Sequence, residues 1–203
     1  MSTRKLHGVA GSRAIRSLWA IEEVGVPYEQ VATHFIEDSK KPEYLVVNPN
    51  GRIPALVDGD LVIFESMAIN LHLARTYGDG LYPTDPDDLA RTEQWSIWAI
   101  SEIEPYQMAI VVQKFFTPEE KRSERAIESS GKALARPLAV LDAALADRDY
   151  LLGDTFTIAD LNVSAVMLLL QMIEFDLSPF PNVQRWTGAC YARPALAAAR
   201  ARD

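Results

Sequence analysis

The run Asn48-Pro49-Asn50-Gly51-Arg52-Ile53-Pro54-Ala55-Leu56 limits this chain more than any other segment. Pro54 follows a loop and directly precedes Ala55-Leu56-Val57, an apolar stretch that reads as a strand. Proline cannot donate to a sheet ladder, so it is tolerated at the first residue of a strand and hardly elsewhere in one. A cis bond into Pro54 would kink the chain and leave the N–H and C=O of Ile53 without partners inside the sheet. Such groups can dock a short extended peptide. A second apolar run, Leu61-Val62-Ile63-Phe64, is closed by Glu65-Ser66, and a helical pattern opens there. A serine at a helix start can hold a carboxylate through its hydroxyl and the free N–H groups of the first turn. Glu65 can take an ammonium. A small molecule with a peptide bond, an amino group and a carboxylate meets that list.

The order of elements around this block predicts the fold of the first half. Residues 4–9 read as a strand, ending at Ala10-Gly11. From Ser12 the pattern turns helical, with Ile15, Leu18, Trp19 and Ile21 on one face and Gly25 as a stop. Residues 28–32 alternate as a strand does, and 35–47 read as irregular with a short helix near Glu43. Residues 55–58 and 61–64 form a hairpin through Gly59-Asp60, and Ser66 to Tyr77 is helical. This order matches a thioredoxin-like α/β domain over residues 1–78. Residues 79–88, rich in proline and aspartate, read as a linker. Nothing strand-like follows, so residues 89–203 read as an all-helical domain. Its helical patterns cover 89–116, 118–146, 158–172, 181–191 and 194–202. Pro105 predicts a kink or break in the first of these, because it lacks an N–H and clashes with the preceding turn.

Phe156-Thr157-Ile158-Ala159-Asp160-Leu161 is the clearest local signal in the second half. Thr157 and Asp160 stand as a capping box, with Phe156 and Leu161 as the flanking staple. Losing the cap should cost ~0.5–2 kcal/mol. The helix it opens is apolar on nearly all sides and is expected at the buried centre of its domain. Asp160 is therefore read as structural and not as a catalytic acid.

Composition excludes several function classes. The 203 residues carry a net charge of −8, which disfavours nucleic acid and anionic membranes as partners. No apolar run reaches the ~20 residues of a membrane span, and Met1 to Leu6 lack the apolar core of a signal peptide. Cys190 is the only cysteine, so a reducing, cytoplasmic setting is the natural reading. His7, His34, His72 and Cys190 show no metal-ligand spacing, and neither a metal nor a cofactor is expected.

The Asn-Pro…Ile-Pro-Ala-Leu block with its Glu-Ser pair resembles the glutathione-binding half of the cytosolic glutathione S-transferases. The capping box and staple resemble those at the buried helix of the same family, so the likeness spans nearly the whole chain. It implies glutathione as co-substrate, a small apolar electrophile as its partner in a cleft between the two halves, and a homodimer. It implies that Ile53 supplies backbone bonds to the cysteinyl unit, with Pro54 holding the geometry. Glu65 and Ser66 would bind the γ-glutamyl end, and Arg52 or Lys41 the glycyl carboxylate. Ala10 and Tyr106 would face the electrophile.

Chemistry in such a site means stabilising the thiolate of glutathione. A free thiol titrates near ~8.5, and each unit by which that value falls corresponds to ~1.4 kcal/mol. The donor belongs where the first strand ends and the first helix begins, and Ser12 stands there. Ser12 is equally suited to cap its own helix, and Ser17 is the next hydroxyl along. Arg13 and Arg16 are further sources of positive potential. No tyrosine precedes Tyr28 and no cysteine precedes Cys190, which sets the chain apart from tyrosine-type and cysteine-type branches. The expectation is a bacterial-type transferase of a serine-type or atypical class. The rivals are a non-catalytic binding or interaction module on the same fold, and a glutathione-dependent isomerase, dehalogenase or peroxidase.

Overall fold

The computed structural model describes residues 4–202, which fall into two compact units. One runs to Pro83 and includes the residues from Ala192 on; the other is Thr84–Tyr191.

The first unit is built on a four-stranded sheet of β1 (Arg4–His7), β2 (Tyr28–Val31), β3 (Ala55–Asp58) and β4 (Leu61–Phe64), in the order β2-β1-β3-β4. β1 and β2 are parallel, joined through α1 (Ile15–Val24), while β3 is antiparallel to both β1 and β4. Short α2 (Pro42–Leu45) precedes the hairpin and α3 (Ser66–Tyr77) follows it. Leu6 and Leu56, paired across β1 and β3, are fully buried, as are Leu18, Trp19 and Ile21 of α1 and Ile69 and Leu73 of α3. The helical pattern read from Ser12 settles into regular helix three residues later, at Ile15. The crossing from β1 to α1 is close: a Cβ on Gly8 (φ +142°) would stand 2.3 Å from that of Ala14, so only glycine fits.

The terminal helix α9 (Pro194–Arg200), expected with the helical domain, clusters instead with this first unit. Two glutamates of α1 hold its flanks. Glu23 accepts Arg193 Nε at 3.0 Å and Trp19 Nε1 at 3.2 Å; Glu22 accepts Arg202 Nε at 2.8 Å and the Tyr28 hydroxyl at 2.6 Å. The two arginine pairings span 170 and 180 residues, and local periodicity carries no trace of them.

The second unit contains α4 (Pro86–Trp98), α5 (Glu104–Val111), α6 (Glu124–Ala144), α7 (Ile158–Met172) and α8 (Pro181–Tyr191). Asp85 caps α4 by accepting the N–H groups of Asp87 and Asp88. The expected disruption at Pro105 takes the form of a π-widened turn, Ala99–Ile103, just before α5; a second, Val112–Phe116, follows it. The stretch 118–146, read as one helix, starts regular helix only at Glu124, because Ser123 caps there and accepts Ala126 N–H at 3.2 Å. α7 is buried along nearly its whole length. The Asp160 carboxylate accepts Thr157 N–H (2.9 Å) and hydroxyl (3.0 Å), Leu151 N–H (2.8 Å) and Trp186 Nε1 (2.9 Å). One buried side chain thus ties a loop and α8 to the start of α7. Burial raises its titration above the carboxylate norm even against those four donors.

At the far end of the hairpin, Asp58 faces Arg4 Nε (3.2 Å), His72 Nε2 (2.9 Å) and the Tyr77 hydroxyl (2.7 Å). Burial pushes this carboxyl up, but His72, Tyr77 and Arg4 more than offset it and hold it below the usual range. A depressed folded value means stabilisation that is fully present above the unfolded carboxylate range and lost as pH falls through the folded value. Asp58→Asn is therefore expected to lower the thermal midpoint at pH 7. The gap to the parent protein should narrow below about pH 4. Melting curves from pH 7 to 3 test this, and a gap that stays constant contradicts it.

Candidate functional site

The sheet register carries three separate segments to one end of the first unit. His7, the last residue of β1, pairs with Ala55, the first of β3, and Ala55 pairs with Phe64, the last of β4. From those three neighbouring positions the chain leaves into the Ser12 turn, the Ile53-Pro54 loop and the Glu65-Ser66 corner.

The central loop is tightly built. Asn48 to Gly51 closes a turn with Gly51 N–H on the Asn48 carbonyl at 2.9 Å, and Asn48 Oδ1 accepts Asn50 N–H at 3.1 Å. Asn at the first position, Pro at the second and Gly at the fourth are what a type I turn favours. Tyr44 hydroxyl and Asn48 Nδ2 both donate to the Arg52 carbonyl, each at 2.6 Å. The Ile53–Pro54 bond is cis. Among the described residues, no hydrogen bond within the chain takes up the N–H or C=O of Ile53. Ile53 is buried against Val9, Ala14, Tyr44 and Ala55, Pro54 is also buried, and the Arg52 side chain is exposed.

Glu65 stands at the corner with φ +73°, a conformation unusual for a residue with a side chain. Its carboxylate is exposed and does not cap α3, whose first-turn N–H groups begin at the largely buried Ser66.

Ser12 lies in the turn before α1. Its hydroxyl donates to the Val9 carbonyl at 2.7 Å, and its oxygen accepts Ala14 N–H at 3.1 Å. Ala14, not Ser12, occupies the cap position of α1. Ser17 is fully buried and Arg16 nearly so, whereas Arg13 is exposed. Of the cation candidates, Lys41 is held by Asp38 at 2.7 Å, and that bond keeps its ammonium above the usual lysine value. Its neighbour Lys40 reaches the Gly51 carbonyl. Ala10 is half-buried in the first unit; Tyr106, on α5 of the second, is partly exposed. His34 is exposed, and His72 is engaged by Asp58. His7, its ring 5.5 Å from that of Tyr44, titrates below the usual histidine range because of burial and then Lys5. No group of three or more His, Cys, Asp or Glu is disposed to hold a metal among the described residues.

Residues 1–75 match the family model "Glutathione S-transferase, N-terminal domain", and residues 104–194 match "Glutathione S-transferase, C-terminal domain". Glutathione S-transferase GstB of Escherichia coli is 34% identical over 183 residues, 88% of each chain. The chain belongs to the glutathione S-transferase family. Glutathione S-transferase 4 of Zea mays is also 34% identical, over 94% of this chain and 89% of the maize protein. Among solved structures, the theta class transferase of Xanthomonas axonopodis pv. citri with glutathione bound is 30% identical. It superposes with a TM-score of 0.88 over 100% of this chain and 99% of that one. Glutathione S-transferase-I bound with lactoylglutathione gives 0.88 at 31% identity, over 98% and 99%.

Sequence reasoning pointed to Ile53, Pro54, Glu65 and Ser66 but passed over Tyr44, Lys40 and the side chain of Asn48. The Asn-Pro-Asn-Gly turn was a usable signal for Asn48, and a tyrosine four residues earlier on a short helix was one for Tyr44. Gly51, at φ +58°, has no room for a side chain: a Cβ would lie 2.9 Å from the Ser39 carbonyl oxygen and 3.2 Å from Lys40 Nζ. Gly51→Ala should cost about 1–3 kcal/mol. Gly59→Ala, at φ +63° with nothing within 4 Å, should cost less, because it meets strain without a clash. Urea unfolding of the two variants measures the difference; equal losses would deny the packing of this loop.

Proposed function

We propose that the protein joins the sulfur of glutathione to small, apolar electrophiles. The observation that carries this reading is the register that brings the Ser12 turn, the Ile53 main chain and the Glu65-Ser66 corner to one end of a single sheet. Ile53 N–H and C=O bond the cysteinyl main chain. Glu65 takes the γ-glutamyl ammonium; the Ser66 hydroxyl and the first-turn N–H groups of α3 take its carboxylate. Arg52, exposed at the loop, takes the glycyl carboxylate with Lys40 beside it, since Lys41 is already paired with Asp38.

Ser12 is the thiolate donor. A hydroxyl has one proton to give, and without ligand it goes to the Val9 carbonyl. A hydrogen bond to a charged acceptor is roughly twice as strong as one to a neutral acceptor, so a bound thiolate takes that proton from Val9. The Ala14 N–H continues to hold the oxygen in place. Stabilising the thiolate lowers its titration toward neutrality. Orientation beside the electrophile supplies the rest of the rate, and no covalent enzyme intermediate is needed.

A homodimer accords with apolar side chains exposed on each unit: Leu61 and Val62 on edge strand β4, and Ile97 and Val140 on the helices of the second. A cytoplasmic setting accords with the single, buried, unbridged Cys190. No helix among the described residues is long and apolar enough to cross a membrane. A non-catalytic binding module is the second reading, favoured by one observation: the Ser12 proton is already engaged.

Calorimetry with glutathione and turnover of a chromogenic aryl halide separate the two. Heat with turnover is expected; heat without turnover of any electrophile selects the binding module, and no heat rejects both. Ser12→Ala should raise the apparent pKa of the bound thiol by about one unit or more and cut the rate about tenfold below that value. Its glutathione affinity should change little. A pH–rate profile identical to the parent would remove Ser12 from the mechanism.

A further inference from the structure

Arg52 and Ile53 share one trans peptide group; among the described residues the one cis bond is the next along, Ile53–Pro54. In such a group C=O and N–H lie in one plane and point in opposite directions. Whatever fixes the Arg52 carbonyl therefore fixes the direction of the Ile53 N–H. Two buried side chains fix it, the Tyr44 hydroxyl and Asn48 Nδ2, both at 2.6 Å. Each is itself constrained. Asn48 Oδ1 accepts Asn50 N–H and Nδ2, both at 3.1 Å, so the amide cannot flip. The Tyr44 ring packs in the cluster of Val9, Ala14, Ile53 and Ala55, with His7 across from it. Burial pushes the Tyr44 phenol up to about 12, so its hydroxyl keeps its proton to donate. Two donors on one carbonyl also polarise the amide and make the N–H on its other side a stronger donor.

We propose that Tyr44 and Asn48 are positioning residues for glutathione: they lock the Arg52–Ile53 peptide group so that the Ile53 N–H is aimed at the main chain of the cysteinyl unit. This rests on the glutathione reading of the cradle. Both side chains act through the peptide group. Either alone still holds the carbonyl, so removing both should cost more than the two single losses combined.

Tyr44→Phe removes one donor at constant shape, and Asn48→Asp removes the other while keeping the acceptor for Asn50. For each, glutathione Kd by calorimetry, KM and kcat, and the Ile53 amide proton shift in the 15N-labelled complex would be measured. Tyr44→Phe should raise Kd and KM about three- to tenfold, the effect of one hydrogen bond, with the loss falling on KM rather than kcat. The Ile53 amide proton should move upfield, and the double variant should lose more than the product of the single effects. A merely structural role would lower the melting temperature without moving the Ile53 resonance or separating KM from kcat. Should Tyr44→Phe fail to fold, Asn48→Asp carries the same test. A parent protein that binds glutathione while the variants bind it equally well, with Ile53 unmoved, overturns this inference alone. A parent protein that does not bind glutathione overturns it together with the cradle reading.

Discussion

Register in the central sheet is the constraint on which the rest of the structure depends. Pairing His7 with Ala55, and Ala55 with Phe64, sets the last residue of one strand, the first of the next and the last of the third in line. Side chains alternate across a strand, so a slip of one residue would turn Leu6 and Leu56 out of the core and their neighbours into it. Burial of that pair and its helical cover makes the register unique, and the register delivers three loops to one edge. Core packing thus delivers the loops, and Tyr44, Asn48 and Lys40 then fix the central one by hydrogen bonds to its backbone.

Within that frame, polar satisfaction is concentrated in the segment from Ser39 to Arg52. Tyr44, Asn48, Asn50 and Lys40 all spend hydrogen bonds on this segment's own backbone or side chains, and Ser39 ties its start to the Phe35 carbonyl. The next main-chain groups, those of Ile53, take none within the chain among the described residues. A loop whose Arg52 carbonyl is doubly bonded and which then presents an unspent peptide edge is suited to bind another main chain, because the entropy of ordering it has already been met in folding. Arg52 and Glu65 are exposed charges of opposite sign, and in the proposed reading they meet the two ends of a zwitterionic ligand.

Much of this was legible in the residues themselves, and the illegible parts have physical causes. The hairpin, α3, α7 and α8 could be read because each is marked by local chemistry: Gly59-Asp60 at the turn, Glu65-Ser66 at the corner, Thr157 with Asp160 at the cap, Pro181 at the start. Pro105 foretold a disruption, but not that a π-widened turn would absorb it. The placement of α9 depends on Glu22 and Glu23, some 170 to 180 residues away, and no window of sequence contains that pairing. At the site, the choice between adjacent lysines turned on Asp38, three residues before Lys41 and so one helical turn from it. Tyr44 was hidden for a different reason: an aromatic on a short helix looks like core, and here it is both core and a donor.

The central claim is that the amino-terminal unit grips a tripeptide by its main chain and its two charged ends. Hydrogen–deuterium exchange with and without glutathione tests it most directly, because it reports where the ligand acts without relying on turnover. Slowed exchange is predicted in peptides covering residues 48–54 and 64–69, with a smaller effect at 8–16. Exchange unchanged in those segments, or slowed only within residues 86–191, would contradict the account.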